Sequence, residues 1–397
     1  MNNEINNENK KLNAPNLRFP EFQGEWEKCK VSDLLDFYST NSLSWDKLEY
    51  GTSNIQNLHY GMIHVGLPTM VDVDKDNLPN IIDGNVPKNY ELCKEGDVAF
   101  ADASEDTNEV AKAIEFYNLN GKKVVCGLHT IHGRDNDNKT VVGYKGYAFS
   151  SMSFHHQIRR IAQGTKIYSI NSKNFSECYV GIPSKEEQKK IADLLHLIDE
   201  RIATQSKIID KLQSLIKGIA QYCIKGLAYS NVKMKLGDIC QITTGKLDAN
   251  AQVTNGMYPF FTCAEQPFQI NTYAFDTEAL LISGNGTNLG YINYYKGKFN
   301  AYQRTYVLDN FKTNIQYTKC ALKVLLPQRI AIEKSSSNTP YIVLSTLSEM
   351  TLPVPNIKEQ RNIASLMQFL ERLLSEQTEL NGCYNKLKQY LLRQMFI

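Results

Sequence analysis

The chain has 397 residues, enough for two or three domains, and its 42% hydrophobic and 22% charged residues are typical of an ordinary soluble globular protein. The formal net charge of only +2 excludes a protein that holds nucleic acid by a strong overall positive charge, so any such role depends on local patches or on partner chains. The sequence contains no apolar run long enough for a membrane span, and its nine cysteines include no C-x-x-C pair of the kind found in zinc ribbons and redox motifs.

The N-terminal stretch MNNEINNENKKLN lacks the apolar core of a signal peptide and is rich in Asn and charge. We therefore predict a disordered tail over residues 1–16. An odd number of cysteines without a secretion signal predicts a reduced, cytoplasmic location.

A first globular region, which we call the first head, is predicted over residues 17–183. Three strand-like runs are GDVAF at Gly96, KKVVCGLHTI at Lys122 and QIRRIAQGTKIYSI at Gln157, each bounded by turn residues. The histidines His129 and His132 have no Cys or Glu at metal-ligand spacing, so we interpret them as core or surface residues rather than as a zinc site. The side chains of this head that are richest in hydrogen-bond donors are His129, Thr130, His132, Arg134, His155, His156, Gln157, Arg159 and Arg160.

A long helix is predicted over residues 184–229. Ser184 lies three residues before Glu187, the spacing of a capping box, and Pro183 discourages helix upstream. At about 1.5 Å per residue, a helix from Ser184 to Lys225 would be roughly 60 Å long. Its apolar stripe follows the heptad spacing of a coiled coil and consists of Ile191, Leu195, Ile198, Ile202, Gln205, Ile209, Leu212, Ile216, Ile219 and Cys223.

A second head is predicted over residues 230–355. It starts with KLGDICQI at Lys235, which matches KVSDLLDF at Lys30, and its strand-like runs are EALLISGNG at Glu278, GYINYYKGKFNAYQRTYVL at Gly290 and YIVLSTL at Tyr341. The segment GNGTNLG at Gly284 lacks the Gly-Lys-Ser/Thr of a phosphate loop and is interpreted as a tight turn.

A second long helix is predicted over residues 356–397. Its opening PNIKEQRNIASLM repeats PSKEEQKKIADLL 172 residues later, with Glu359 in the place of Glu187. Gln205 and Gln377 hold matching positions in the two stripes, and we hypothesise that they face each other. The second stripe consists of Ile363, Leu366, Leu370, Leu373, Gln377, Leu380, Tyr384, Leu387 and Leu391.

These elements predict an α+β protein in which a head and a helix occur twice. Two heads with twisted β-sheets would be separated by two long antiparallel coiled-coil helices, related by a pseudo-two-fold axis. In the alternative interpretation, each stripe is buried only against its own head.

No catalytic motif is recognisable in either head, which favours a protein that reads a ligand over one that transforms it. Arg, Asn and Gln suit base edges in the major groove, and Tyr and Lys suit phosphates. The candidate DNA-contacting residues are His132, Arg134, Arg159 and Arg160 in the first head and Lys298, Tyr302, Gln303 and Arg304 in the second. The alternatives are a solvated sheet face with cross-strand tyrosine pairs, a self-sufficient methyltransferase or nuclease, and a coiled-coil scaffold with two ligand-binding heads.

The chain resembles the DNA specificity subunit of type I restriction–modification systems over nearly its whole length. The resemblance rests on both PxxxEQxxIA helix openings and on LRFPEFQGEWE at Leu17, FADASEDTNEVAKA at Phe100, GLHTIHGRD at Gly127, RIAQGTKIYSI at Arg160, YPFFTC at Tyr258 and GKFNAYQRTYVL at Gly297.

The resemblance implies two target recognition domains, each reading half of a bipartite site in double-stranded DNA, and two helices that set the gap between the half-sites. It also implies two modification subunits, which would bring S-adenosylmethionine and methylate a flipped-out adenine, and two restriction subunits that use ATP and Mg²⁺. No cofactor, metal or catalytic residue is expected in this chain.

Overall fold

The computed structural model describes residues 13–51, 55–227, 232–334 and 341–397. The chain divides into two compact units. Unit 1 comprises Met1–Gln205 and Leu380–Ile397, and unit 2 comprises Ser206–Glu379. Each unit therefore contains one head together with part of each long helix.

In the described part of the first half, the strands have at most six residues and the five helices that precede the first long helix have at most ten. Its strands are β1 Glu27–Lys30, β2 Asp36–Tyr38, β3 Leu48–Glu49, β4 Gln56–Leu58, β5 Met70–Asp72, β6 Asn80–Ile81, β7 Val98–Ala101, β8 Ala103–Ser104, β9 Ala113–Asn118, β10 Val124–Cys126, β11 Thr130–Arg134, β12 Tyr168–Ser169 and β13 Tyr179–Ile182. Its helices are α1 Val31–Leu34, α2 Tyr60–His64, α3 Tyr144–Phe149, α4 Met152–Ile161, α5 Ser172–Ser176 and α6 Lys185–Leu227.

The second half has longer strands and ends in the second long helix. Its strands are β14 Val232–Lys235, β15 Gln241–Thr244, β16 Tyr258–Phe261, β17 Phe268–Ile270, β18 Phe275–Ser283, β19 Ile292–Ala301, β20 Thr305–Asp309 and β21 Thr351–Val354. Its helices are α7 Leu236–Ile239, α8 Ile315–Lys334, α9 Leu344–Ser348 and α10 Ile357–Gln394.

Unit 1 is built on a five-stranded sheet of order β2-β11-β7-β9-β5, which is antiparallel except for the β5–β9 pair. Along β7, Val98 and Phe100 face the core shared with α3 to α5, whereas Ala99 and Ala101 face a second apolar cluster. Since both faces are covered, every residue of β7 is buried. A second sheet of order β10-β4-β6-β3 lies in the same unit.

Unit 2 contains one six-stranded sheet of order β15-β20-β18-β19-β16-β17. Along β18, Leu280 and Ile282 belong to a core that includes α8, while Ala279 and Leu281 belong to a smaller cluster on the opposite face. The two heads therefore have different sheets.

Unlike these sheets, the elements that flank each head are the same in both units. We call them the frame: a two-stranded sheet and the short helix that follows its first strand. β1 pairs antiparallel with β13, and β14 pairs in the same way with β21. At the start of α1 the Val31 amide donates to the Cys178 carbonyl, and at the start of α7 the Leu236 amide donates to the Met350 carbonyl, each at 2.8 Å. The internal repeat predicted from the sequence is thus confirmed, because equivalent residues of the two halves make the same backbone hydrogen bonds.

The glutamine of the repeated EQ pair closes this frame. In unit 2, the Gln360 side chain donates to the Pro355 carbonyl at 2.8 Å and accepts from the Asn314 amide at 2.8 Å. In unit 1, Gln188 makes the equivalent bonds to Pro183 and Val141, at 2.9 Å each. An amide side chain carries both a donor and an acceptor, which is why glutamine can join the helix start to a second loop.

We expect Gln360→Ala to destabilise unit 2 by about 1–3 kcal/mol, because it leaves a buried carbonyl and a partly buried amide without partners. Chemical denaturation of the full chain, followed by circular dichroism, measures the loss. The control is Gln368→Ala, an exposed position of the same helix, for which we expect a change of at most about 0.5 kcal/mol. Equal effects of the two substitutions would contradict the role given to Gln360.

The two predicted helix starts are confirmed. The Ser184 hydroxyl accepts from the Glu187 amide at 3.3 Å, and the Asn356 side chain accepts from the Glu359 amide at 3.0 Å. The Glu187 carboxylate does not complete a capping box, because it forms a bidentate ion pair with Arg18 instead. Helix α6 ends at Leu227, and the rest of the predicted span, 228 and 229, lies outside the described residues.

The apolar stripes enter the core of each unit together with residues of the head. In unit 1 they contribute Ile191, Leu195, Ile198 and Leu391, with Ile202 partly buried; in unit 2 they contribute Leu212 and Leu370, with Ile363 partly buried. Gln205 is buried as predicted for a stripe position, but Leu366, Leu380 and Leu387 are 42%, 39% and 43% exposed, so their predicted burial in a helix–helix seam is wrong. The pairing of Gln205 with Gln377 stays a prediction.

Three other expectations are corrected. Residues 1–12 of the predicted tail lie outside the described residues, but Asn13 exchanges two hydrogen bonds with Trp26, each at 2.7 Å, and is therefore not part of a disordered tail. In the segment starting at Gln157, residues 157–161 form the end of α4 and only Tyr168–Ser169 forms a strand, β12, and the segment starting at Tyr341 contains α9. Both helices begin with a local hydrogen bond that the strand interpretation did not consider. At α4 the Ser151 hydroxyl accepts from the Phe154 amide, and at α9 the Thr346 hydroxyl accepts from the Val343 amide.

Candidate nucleic-acid interface

Two of the four candidates in the first head are buried. His132 and Arg134 lie on β11, between β2 and β7, and are 0% and 7% exposed. His132 Nε2 lies 2.7 Å from an oxygen of Asp97, and Arg134 donates two hydrogen bonds to the same carboxylate, at 2.9 and 2.8 Å. The prediction that these two side chains contact DNA is corrected, because each is turned into the protein.

The electrostatics of this group support a structural role. Burial raises the pKa of the Asp97 carboxyl, but its hydrogen bonds with His132 and Arg134 lower the pKa below its ordinary value. For His132, burial acts to lower the pKa, and the nearby Cys126 and Asp97 raise it above the ordinary value. Asp97, His132 and Arg134 therefore form a buried, mutually dependent polar cluster.

The other two candidates of the first head remain accessible on α4. Arg159 is half-buried and donates to Asn108 at 3.0 Å, while Arg160 is exposed. Arg160 lines a cavity of about 390 Å³ together with Lys28, His156 and Tyr179. Their contact with DNA stays a prediction.

A surface that the sequence analysis did not identify lies at the end of the same head. We call it the histidine–aromatic surface; it consists of the exposed Trp45 and His129, the half-buried Tyr60 and His64, and the buried His59, whose ring packs between those of Trp45 and Tyr60. The rings of Trp45 and His59 are 4.6 Å apart, those of His59 and Tyr60 4.7 Å, and those of Tyr60 and His129 5.2 Å. Such an arrangement offers both ring faces and hydrogen-bond donors to a ligand.

His129 has the most unusual backbone of this surface. Its φ angle is 54°, in the left-handed region, and its exposed side chain lies 3.1 Å from Asp102. Backbone strain of this kind is concentrated at functional sites, which makes His129 a candidate contact residue. His129 is one of the donor-rich residues of the sequence, but its turn could not be predicted, because the run KKVVCGLHTI looks like one strand, whereas the structure has a turn at His129 between β10 and β11.

In the second head, three of the four candidates lie together. Tyr302, Gln303 and Arg304 form the turn between β19 and β20, where the Gln303 amide donates to the Leu247 carbonyl at 2.9 Å. Gln303 and Arg304 are exposed and Tyr302 is half-buried. The backbone is thus held by hydrogen bonds while the polar side chains point outward.

Lys298 lies apart from this turn, on the exposed side of β19. It stands opposite Asp276 on β18, and its amino group lies 4.7 Å from the centre of the Tyr273 ring. On the same strand, Tyr294 donates to Glu278 at 2.7 Å. This strand therefore also has the character of a solvated sheet face, the alternative considered from the sequence, and the turn residues are the better candidates for base contact.

Within the described residues, no helix has both the length and the apolarity of a membrane span.

Comparison with known proteins places this architecture in one family. The family model described as "Type I restriction modification DNA specificity domain" matches residues 74–214 and again residues 230–383. The specificity subunit of the type I restriction enzyme EcoDI of Escherichia coli is 38% identical over 160 residues, which are 40% of this chain and 35% of that relative. A putative type I specificity subunit of Mycoplasma genitalium is 23% identical over 273 residues, which are 63% of this chain and 69% of that relative.

Two solved structures have the same fold. The crystal structure of the S subunit of a type I restriction–modification system from M. genitalium aligns with a TM-score of 0.65 and 19% identity, over 97% of this chain and 99% of that chain. A chain from a study of complex assembly and conformational transition in a type I system aligns with a TM-score of 0.57 and 16% identity, over 95% and 98% of the two chains.

Proposed function

The chain belongs to the family of type I restriction–modification DNA specificity domains, and from this premise we propose that it is the DNA-reading subunit of a type I restriction–modification complex. Each head reads one half of a bipartite target, and partner subunits carry out the chemistry. The observation that carries this proposal is the repeated frame, whose strand pairs and helix-start hydrogen bonds recur around two unlike heads.

Unlike heads imply unlike half-sites. The first head offers the histidine–aromatic surface and the arginines of α4, whereas the second offers Tyr302, Gln303 and Arg304 on one turn. Arg and Gln can each make bidentate bonds to one kind of base, so the second head is suited to direct readout in the major groove. The expected target therefore consists of two half-sites with different base sequences, and not of the same sequence twice.

The long helices are suited to fix the gap between the half-sites. Helix α6 has 43 residues and α10 has 38, and both supply apolar residues to the core of unit 1 and of unit 2. At about 1.5 Å per residue, 43 residues correspond to roughly 65 Å, longer than the 34 Å or so of one turn of B-DNA. A continuous helix of this length resists a change of the gap.

The catalytic groups and cofactors are assigned to partner chains. Two modification subunits would bind S-adenosylmethionine and methylate adenine, and two restriction subunits would use ATP and Mg²⁺, all in the cytoplasm, where the DNA is. The net charge of +2 supports this division, since a chain that bound DNA alone would need a larger positive charge.

A methylation assay tests the division of labour. The purified chain alone should transfer no methyl groups, whereas the chain reconstituted with its modification subunits should methylate a duplex that carries the target. Turnover by the chain alone would contradict the proposal and favour a self-sufficient methyltransferase.

For base readout we expect Arg304→Ala to weaken discrimination at one base position of one half-site by about 1–3 kcal/mol, because one bidentate contact is lost. Competition gel shifts of the reconstituted complex on single-base target variants measure the change. The control Arg372→Ala removes an exposed arginine of α10 in the same unit and should leave the preference unchanged. A uniform loss of affinity on all sequences would assign Arg304 to a phosphate instead.

A further inference from the structure

Two cysteines and a histidine meet inside unit 1. Cys93 lies on the loop before β7, Cys126 ends β10, and His132 lies on β11. Their Sγ and ring nitrogen atoms all lie within 4.8 Å of one another, and all three residues are buried. Because 33 residues separate the two cysteines along the chain, the sequence contains no metal-binding motif at this place.

The spacing of the two sulfur atoms fits a shared metal ion. Cys93 Sγ and Cys126 Sγ are 3.6 Å apart. Two thiolates on one tetrahedral zinc, each about 2.3 Å from the metal, lie about 3.8 Å apart. The strand framework holds this spacing, because the Cys93 amide donates to the Val124 carbonyl at 2.8 Å and thereby joins the loop to β10.

The position of the histidine suits a metal ligand. Its Nε2 lies 2.7 Å from an oxygen of Asp97, and in the neutral imidazole this contact holds the proton on Nε2 and leaves a lone pair on Nδ1. Nδ1 is buried and has no hydrogen-bond partner among the described residues. A carboxylate behind a histidine whose other nitrogen is unsatisfied is the usual outer shell of a zinc-binding histidine.

The charges also balance around a divalent cation. The negative charge of Asp97 is balanced by Arg134. The charge at the metal position therefore depends only on the two cysteines and on the imidazole, which is neutral when it binds a metal. Two thiolates beside one Zn²⁺ carry no net charge, which removes the cost of burying them.

We propose that the first head contains a zinc site that stabilises the fold, in which Cys93, Cys126 and His132 supply three ligands and a water molecule completes the tetrahedron. The ion would join β10, β11 and the loop before β7, next to the polar cluster of Asp97 and Arg134. Two thiolates and one imidazole select a soft or borderline divalent cation such as Zn²⁺ over Mg²⁺ or Ca²⁺. The full burial of all three ligands excludes access of a DNA substrate and favours a role in stability.

The test uses the full-length chain purified with reductant, with Zn²⁺ and Co²⁺ as the probes. We expect one equivalent of zinc by elemental analysis. After removal of zinc by a chelator, Co²⁺ should give the visible absorption of a tetrahedral site and a thiolate charge-transfer band. Chelation should also lower the Tm, because the binding free energy of a structural metal contributes to folding.

Matched variants assign the ligands. Cys93→Ser and Cys126→Ser should lose the charge-transfer band and bind zinc at least tenfold more weakly. Cys178→Ser, which removes another buried thiol of unit 1, should bind one equivalent like the wild type. Asp97→Asn keeps all three ligands and should weaken zinc binding about 10–100-fold through the orientation of His132.

Three results would overturn the proposal: a folded, reduced wild-type chain that takes up neither Zn²⁺ nor Co²⁺ at micromolar concentration, binding that survives both ligand substitutions, or peptide mapping that finds Cys93 and Cys126 joined as a disulfide. If the ligand variants fail to fold, the cobalt spectrum of the wild type and the effect of the chelator on its Tm still decide. The test does not depend on the proposed function, since it involves neither DNA nor partner subunits.

Discussion

Lengthening both long helices by one heptad is expected to widen the unspecified gap in the methylated target and to leave both half-sites unchanged. The insertions belong between Gln205 and Ser206 in α6 and between Glu379 and Leu380 in α10, where the chain passes from one unit to the other. Seven residues add about 10 Å of helix, or about three base pairs of 3.4 Å if the helix runs along the DNA, and fewer if it is inclined. Methylation mapping of cells that carry the variant and its partner subunits measures the gap.

The design of the insertion includes its own control. A heptad preserves the apolar stripe, whereas five residues in each helix rotate the stripe away from its partners, and we expect that variant to lose methylation. A heptad in α6 alone mismatches the two stripes and should also reduce activity. Half-sites that change sequence, with the gap preserved, would contradict the role of the helices as a ruler.

Replacing Asp97 by alanine is expected to destabilise the first head by about 3–5 kcal/mol, because it leaves the buried Arg134 guanidinium without its main partner. Burial lowers the pKa of Arg134, but Asp97 and Glu91 raise it above its ordinary value, so the side chain stays charged. Denaturation of the full chain measures the loss, and methylation of the half-site that this head reads should disappear.

Two further variants separate this effect from a general loss of charge. Asp137→Ala removes an exposed carboxylate of the same head and should change the stability by at most about 0.5 kcal/mol. Asp97→Ala combined with Arg134→Met removes the guanidinium charge that has lost its main partner and should recover part of the loss. If the double variant is as unstable as Asp97→Ala alone, the charge left on Arg134 is not the cause.

The repeated frame could be predicted from the sequence because its signals are local. A capping side chain, a glutamate three residues later and a heptad stripe all lie within one helix, so α6 and α10 were found with nearly correct starts. The exposure of Leu387 could not be predicted, because the heptad pattern of one helix does not show how far along that helix other elements pack against it.

The contents of the heads depend on contacts between distant residues, and here prediction failed. The run TIHGR alternates between polar and apolar residues, as a half-exposed strand does. In the structure β11 has a neighbouring strand on each side, and His132 binds Asp97, which lies 35 residues earlier in the chain. Likewise, Cys93 and Cys126 are brought together only by the pairing of their segments, and the histidine–aromatic surface combines residues from Trp45 to His129.

The most direct test of a two-headed reader is the genome-wide map of methyladenine in cells that carry this chain with its modification subunits. The account predicts one interrupted motif: two short specified sequences that differ from each other, separated by a fixed number of unspecified bases. A continuous motif, or two half-sites that occur at variable spacing, would contradict it.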